Sequence, residues 1–186
     1  DSTLVNIIRT RNMSAAVRQQ APKWQRTVRT VDWISTQLPI TSRYQMWHFS
    51  DSFESLIPGS EDSWLEVADR DQLNEAIDRV SELVPANGTN LSQVFRAVAA
   101  MNPPPDNIFL ITDGLPTLGG RSSRNGLVTP TQRLELFEQA VELLPNDVPV
   151  NTILMPLEGD PSAAAAYWQL AQYSRGSFLT PSKDWP

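Results

Sequence analysis

Apolar side chains recur at steps of three and four residues in several stretches of the chain, and this is the spacing of one buried helix face. The first such stretch begins at Lys23 and stops at Pro39. Its apolar positions are Trp24, Val28, Val31, Ile34 and Leu38. Later stretches with the same spacing predict helices over residues 69–84, 91–101, 134–144 and 160–176.

Two of these predicted helices carry recognisable start signals. Asp69 is followed three positions later by Gln72, which resembles a capping pair. Asp160 is followed by Pro161, and a cap followed by proline is a typical helix opening. We therefore expect both aspartates to cap helices.

Short apolar runs between the helical stretches predict strands, at residues 44–49, 63–68, 107–112, 148–155 and 177–180. The run 107–112 is of the kind found in strands that are covered on both faces. Strands that alternate with helices of ten or more residues predict an α/β fold with a doubly wound, mostly parallel sheet.

Composition limits the organisation and the partners of the chain. Its 186 residues, 40% of them hydrophobic, are enough for one compact domain, which we place at residues 23–186 after an N-terminal extension at residues 1–22. The net charge of −6 makes nucleic acid a poor partner. There is no cysteine, so disulfides and thiolate chemistry are excluded and the redox compartment stays open. No apolar stretch approaches the roughly 20 residues needed to span a bilayer.

Two loops hold the candidate chemistry. Thr89 precedes the helical pattern that starts at Leu91, and Asp113 follows the apolar run that ends at Ile111. Ligands of such sheets bind where strand carboxyl ends meet the following loops. A hydroxyl and a carboxylate there suit a hard cation such as Mg²⁺. The alternative is that Thr89 is an ordinary helix cap and Asp113 part of an ordinary turn.

Taken in order, these motifs resemble the von Willebrand factor A domain family. The matching segments are Phe49-Ser50-Asp51, Gly88-Thr89-Asn90-Leu91, Phe109-Leu110-Ile111-Thr112-Asp113-Gly114, Val150-Asn151-Thr152-Ile153 and Gly176-Ser177-Phe178. The resemblance covers residues 23–186 and implies a three-layer, Rossmann-like α/β fold with a metal-ion-dependent adhesion site. In that site a divalent cation, Mg²⁺ or else Mn²⁺ or Ca²⁺, is shared with a carboxylate of a partner protein. Thr89 and Asp113 match two of the family's ligands.

The family's first strand, which ends in Asp-x-Ser-x-Ser, is not evident in this chain. Asp1 is followed by Thr3 and Val5 where the two serines belong, so Asp1 is a weak ligand candidate. We expect either that this central strand was lost by truncation or cleavage, or that Thr3 to Ile8 takes its place. Because Thr89 and Asp113 offer one formal charge, we expect Mg²⁺ binding by this chain to be weak or absent.

The sequence therefore predicts a non-enzymatic protein interaction module. Arg121, Arg124 and Leu127, in the glycine-rich loop over residues 114–130, are candidates for partner selection. Two alternatives stay open: a Mg²⁺-dependent hydrolase or phosphotransferase that uses Asp113 and Asp51, and a metal-independent scaffold with a degenerate site. Bacterial members of the family are often tethered to the cell envelope by upstream segments, which is an analogy only, and the sequence leaves the compartment of this chain open.

Overall fold

A computed structural model of the chain describes residues 14–86, 88–119, 128–156, 160–182 and 184–185. The helices in these ranges are α1 (Ala15–Gln19), α2 (Pro22–Gln37), α3 (Arg70–Glu82), α4 (Leu91–Ala100), α5 (Pro130–Val141) and α6 (Ala163–Ser174). The strands are β1 (Arg43–Tyr44), β2 (Trp47–Phe49), β3 (Phe53–Ser55), β4 (Leu65–Glu66), β5 (Ile108–Thr112), β6 (Val150–Leu154) and β7 (Phe178–Leu179). Asp1 and the segment from Thr3 to Ile8 lie outside the described residues.

The backbone contacts divide the chain into two compact units. The described part of the first consists of residues 14–48, 54–86 and 184–185, and that of the second consists of residues 49–53 and the described residues from 88 to 182. The predicted domain boundary after residue 22 stays a prediction. No helix in the described ranges is both long and apolar enough to cross a bilayer.

The first unit is built on helices α2 and α3, which pack together. Helix α3 begins where the capping pair predicts, because the Asp69 carboxylate accepts the Gln72 N–H at 3.0 Å. Strand β1 pairs antiparallel with β4, Tyr44 opposite Leu65. The buried core of this unit consists of Tyr44, Leu56, Leu65, Val67, Leu73, Ala76 and Val80.

The prediction of one continuous strand over residues 44–49 is wrong, because the run is divided into β1 and β2. Gln45 lies between the two strands, and its side-chain amide donates to the carbonyls of Ser60 and Ser63. Its side-chain carbonyl accepts the Met46 N–H at 3.0 Å. The strand is therefore interrupted by a glutamine that bonds to a neighbouring loop.

The second unit contains a parallel sheet in the order β5-β6-β7, which confirms the prediction of an α/β fold with parallel strands. Helix α6 packs on β6, and helix α4 packs on α5. The chain turns from α6 into β7 at Gly176, where a Cβ atom would lie 2.0 Å from the Val150 carbonyl oxygen. A glycine is required there because only a residue without Cβ lets the backbones approach so closely.

Candidate functional site

The loops that carry Thr89 and Asp113 are joined by backbone hydrogen bonds. The Thr89 N–H donates to the Thr117 hydroxyl at 2.9 Å, and the N–H groups of Thr117 and Leu118 donate to the Thr89 carbonyl at 3.0 Å each. Asp113 begins the loop that contains Thr117, directly after β5. The two predicted site residues therefore lie on loops that contact each other at the carboxyl end of the sheet.

The close packing of the two loops explains why a glycine, Gly88, precedes Thr89. A Cβ atom at this position would lie 2.6 Å from the Thr117 hydroxyl oxygen and 2.9 Å from the nearest Leu118 side-chain carbon. Real Cβ atoms do not come so close to other atoms, so a larger residue would displace the Thr117 side chain. Gly88 thus permits the contact between the two loops.

A third loop joins the same group through Ser50. The Asn90 N–H donates to the Ser50 carbonyl at 2.8 Å. The Ser50 hydroxyl donates to the Asp51 carboxylate at 2.8 Å. A second carboxylate, that of Asp51, therefore lies on a loop that is bonded directly to the loop of Thr89.

Asp113 is half-buried and lines a cavity of about 350 Å³. The lining also includes Leu154 and Met155 at the end of β6, and Asp160 and Ala163 at the start of α6. Cavities at the carboxyl ends of parallel strands are the usual location of ligands in α/β sheets. The cavity therefore lies at the edge where the sequence predicts a site.

Three side chains hold the backbone immediately after Asp113. The Tyr167 hydroxyl donates to the Gly114 carbonyl at 2.9 Å. The Leu115 N–H donates to Asp160 Oδ2 at 2.8 Å, and the Leu115 carbonyl accepts from Arg133 Nη2 at 2.5 Å. Arg133 Nη2 and Asp160 Oδ2 also form an ion pair at 2.8 Å. We call these three side chains the Gly114–Leu115 clamp.

The prediction that Asp160 caps a helix is wrong. Helix α6 begins at Ala163, Ser162 is its N-cap residue, and the Asp160 carboxylate binds Leu115 and Arg133 instead. Its side chain is only 3% exposed, and a carboxylate buried so deeply needs charged and hydrogen-bonding partners. Sequence analysis missed the clamp because its members are far apart along the chain.

The pKa of Tyr167 is raised above its ordinary value of 10.0, chiefly because the phenol is buried. A hydrogen bond with the Thr112 side chain lowers this pKa, the negative charges of Asp160 and Asp113 raise it, and the charge of Arg133 lowers it. Tyr167 therefore remains protonated at neutral pH and is a hydrogen-bond donor to the loop carbonyl.

The oxygen atoms of the joined loops are of the kind that hard cations prefer. They include the Thr89 hydroxyl, the Asp113 carboxylate and the Asn90 side-chain carbonyl, which is buried and has no hydrogen-bond partner among the described residues. In the described part of the chain, His, Asp and Glu side chains nowhere form a group of three that could enclose a metal ion. The donors therefore fit a cation that keeps several water ligands and do not fit one held wholly by protein.

Arg121, Arg124 and Leu127, the residues predicted to select a partner, lie outside the described residues. Their place relative to the joined loops stays a prediction.

No family model matches the sequence, and no curated protein matches it. The structure is similar to that of a von Willebrand factor type A protein from Catenulispora acidiphila, with a TM-score of 0.62 and 12% sequence identity. The match covers 91% of this chain, and the chain spans 37% of the length of that protein. The chain therefore has a von Willebrand factor A-like fold, which confirms the resemblance inferred from the ordered sequence motifs.

Proposed function

We propose that this chain is a non-enzymatic protein interaction module of von Willebrand factor A type. The observation that carries this proposal is the direct bonding between the loops of Thr89 and Asp113 at the carboxyl end of the sheet. The von Willebrand factor A-like fold supports an interaction module. Loops on a rigid α/β scaffold are well suited to contact another protein.

The partner group in this proposal is an acidic side chain. Thr89 and Asp113 would hold Mg²⁺, or else Mn²⁺ or Ca²⁺, directly or through water. The bound ion would supply positive charge that attracts a carboxylate of the partner. The single charge of Asp113 makes weak binding of the ion the expected result for residues 1–186.

We also propose that the sheet is part of a three-layer, doubly wound fold with one more strand beside β5. The Ile108 N–H donates to the Pro149 carbonyl, and the Thr112 carbonyl accepts from the Met155 N–H. The backbone groups of alternate residues of β5 therefore face β6. The backbone groups of Phe109 and Ile111 then face away from β6, because successive residues of a strand point to opposite sides. Among the described residues no strand pairs with that edge. Attachment to a cell envelope through another segment stays a prediction.

The test uses Mg²⁺ and a simple carboxylate probe, N-acetyl-glutamate amide. In ¹⁵N-labelled protein, we expect the probe to shift the amide signals of Thr89, Asp113 and Thr117 only when Mg²⁺ is present. Asp113→Ala should abolish these shifts. Asp106→Ala is the matched control, because Asp106 is exposed and precedes the opposite end of β5.

Other results would favour the alternatives. Turnover of p-nitrophenyl phosphate that depends on Mg²⁺ and Asp113 would indicate an enzyme. Probe shifts that are the same with and without EDTA would indicate a metal-independent scaffold. An absence of any probe shift at these loops would reject the proposed site.

A further inference from the structure

The Gly114–Leu115 clamp joins two helices to the loop of Asp113. Arg133 belongs to α5, Tyr167 belongs to α6, and Asp160 lies three residues before α6. Leu115 is 1% exposed and Tyr167 is fully buried. The clamp is therefore a packed, water-poor contact, and its hydrogen bonds have few competitors in solvent.

The ion pair at the centre of the clamp is costly to bury. Asp160 is 3% exposed and Arg133 is 16% exposed, so both charges have lost most of their hydration. Apolar residues of similar volume often stabilise a fold as well as such a pair does. Apolar residues, however, could not hydrogen-bond to the backbone of Leu115. Asp160 accepts from the Leu115 N–H, and Arg133 donates to the Leu115 carbonyl.

The clamp acts next to a residue with unusual backbone freedom. Gly114 has no Cβ, and a glycine directly after Asp113 would otherwise let the loop take several conformations. On the other side of Asp113, the Thr112 carbonyl accepts from Met155 N–H at 2.7 Å. The backbone is thus held on both sides of Asp113, by β6 before it and by the clamp after it.

We propose that Arg133, Asp160 and Tyr167 are positioning residues that orient the Asp113 carboxylate for the cation and the partner. This inference rests on the proposed function for its ligand. Its structural part, the dependence of Asp113 on the clamp, can be tested separately. A site with a single charged ligand depends strongly on the orientation of that ligand, so loss of the clamp weakens cation binding.

The first variant is Tyr167→Phe, which removes one hydroxyl and keeps the packed ring. Its control is Tyr173→Phe on the same helix, because Tyr173 is 80% exposed. We expect Tyr167→Phe to shift the backbone signals of Asp113 and Gly114 and to speed hydrogen exchange of the Leu115 amide about tenfold. Mn²⁺ affinity, measured by paramagnetic relaxation, should fall about tenfold. Tyr173→Phe should change none of these.

A second variant, Asp160→Asn, keeps an acceptor for the Leu115 N–H but removes the charge that pairs with Arg133. We expect Asp160→Asn to shift the Leu115 amide signal less than Asp160→Ala does. Its Mn²⁺ affinity should lie between those of Asp160→Ala and wild type. If Asp160→Ala does not fold, Tyr167→Phe alone decides the question.

The outcomes separate the two proposals. If the wild-type chain binds no Mn²⁺ while Tyr167→Phe still moves the Asp113 signals, the cation site is rejected and the positioning role stands. If Mn²⁺ binds equally to wild type and Tyr167→Phe, and the Asp113 signals do not move, the positioning role is overturned.

Discussion

Thr89 and Thr117 bond to each other in both directions. The Thr89 N–H donates to the Thr117 hydroxyl at 2.9 Å, and the Thr117 N–H donates to the Thr89 carbonyl at 3.0 Å. The Thr117 hydroxyl and the backbone of Thr117 thus both connect the loop before α4 to the loop after β5. The relative position of the two candidate ligand residues depends on this pair.

Replacement of Thr117 by valine keeps the shape of the side chain and removes the acceptor for the Thr89 N–H. We expect Thr117→Val to lower the free energy of unfolding by about 1 to 3 kcal/mol, since a half-buried donor loses its partner. Thr117→Ser keeps the hydroxyl and should cost less. Urea unfolding of both variants provides the measurement, and equal losses would contradict a role for the hydroxyl.

Because Arg133 and Asp160 form a buried ion pair, we expect the loss of one partner to cost more stability than the loss of both charges. Arg133→Met leaves the Asp160 carboxylate buried without its cation, and we expect a loss of about 3 to 5 kcal/mol. Arg133→Met combined with Asp160→Asn should be more stable than Arg133→Met alone, because no uncompensated charge remains. Thermal unfolding of the three proteins decides this, and a double variant that is less stable than the single one would refute it.

Two buried tyrosines predict a loss of stability at alkaline pH. Burial, and to a smaller extent the charges of Asp69 and Glu75, raises the pKa of Tyr44, and burial is also the chief cause that raises the pKa of Tyr167. The unfolded chain begins to lose these protons near its ordinary value of about 10, while the folded chain keeps them. Their contribution is therefore fully present below about pH 10 and is lost as the pH rises through the folded-state pKa values.

The measurement is the unfolding midpoint in urea at several pH values between about 9 and 11. We expect Tyr167→Phe to show a shallower decline than wild type over this range. Tyr173→Phe should follow the wild-type curve, since that side chain is 80% exposed. Parallel curves for wild type and Tyr167→Phe would count against the burial argument.

We expect replacement by alanine to cost more stability at Gly176 than at Gly59. A Cβ at Gly176 would lie 2.0 Å from the Val150 carbonyl oxygen and 2.5 Å from its carbon, so the backbone of β6 would have to move. We expect Gly176→Ala to cost about 3 kcal/mol. Gly59 has a φ of +81° and open space around it, so Gly59→Ala should cost only about 1 kcal/mol through backbone strain. Chemical denaturation of both variants gives the comparison.

The secondary structure of the second unit could largely be predicted, because its apolar residues follow helix and strand spacings closely. Strands β5 and β6 lie within the predicted runs, and α4 differs from its prediction by one residue. The start of α5 was predicted four residues too late, at Leu134 rather than Pro130. Apolar spacing reports the packed face of a helix, whereas a capping box between Thr129 and Gln132 sets its first turn.

The candidate site was less accessible to sequence reasoning. The proximity of the Thr89 and Asp113 loops follows from the rule that parallel strands present their carboxyl ends at one edge. The clamp does not follow from any such rule, since its hydrogen bonds join residues 18 to 53 positions apart. Local pattern assigns Asp160 to a cap, and only the tertiary fold reveals that it binds Leu115 and Arg133.

On the side of β5 away from β6, no strand of the described residues pairs with it, and this has a consequence for handling the protein. Ile108–Thr112 contains neither a charge nor a proline, and these are the features by which natural sheets discourage unwanted neighbours. Short uncharged segments rich in β-branched and aromatic residues are typical seeds of amyloid-like stacking. In concentrated solution, molecules of this chain should therefore associate through β5 into aggregates that bind thioflavin. Phe109→Lys should prevent this aggregation.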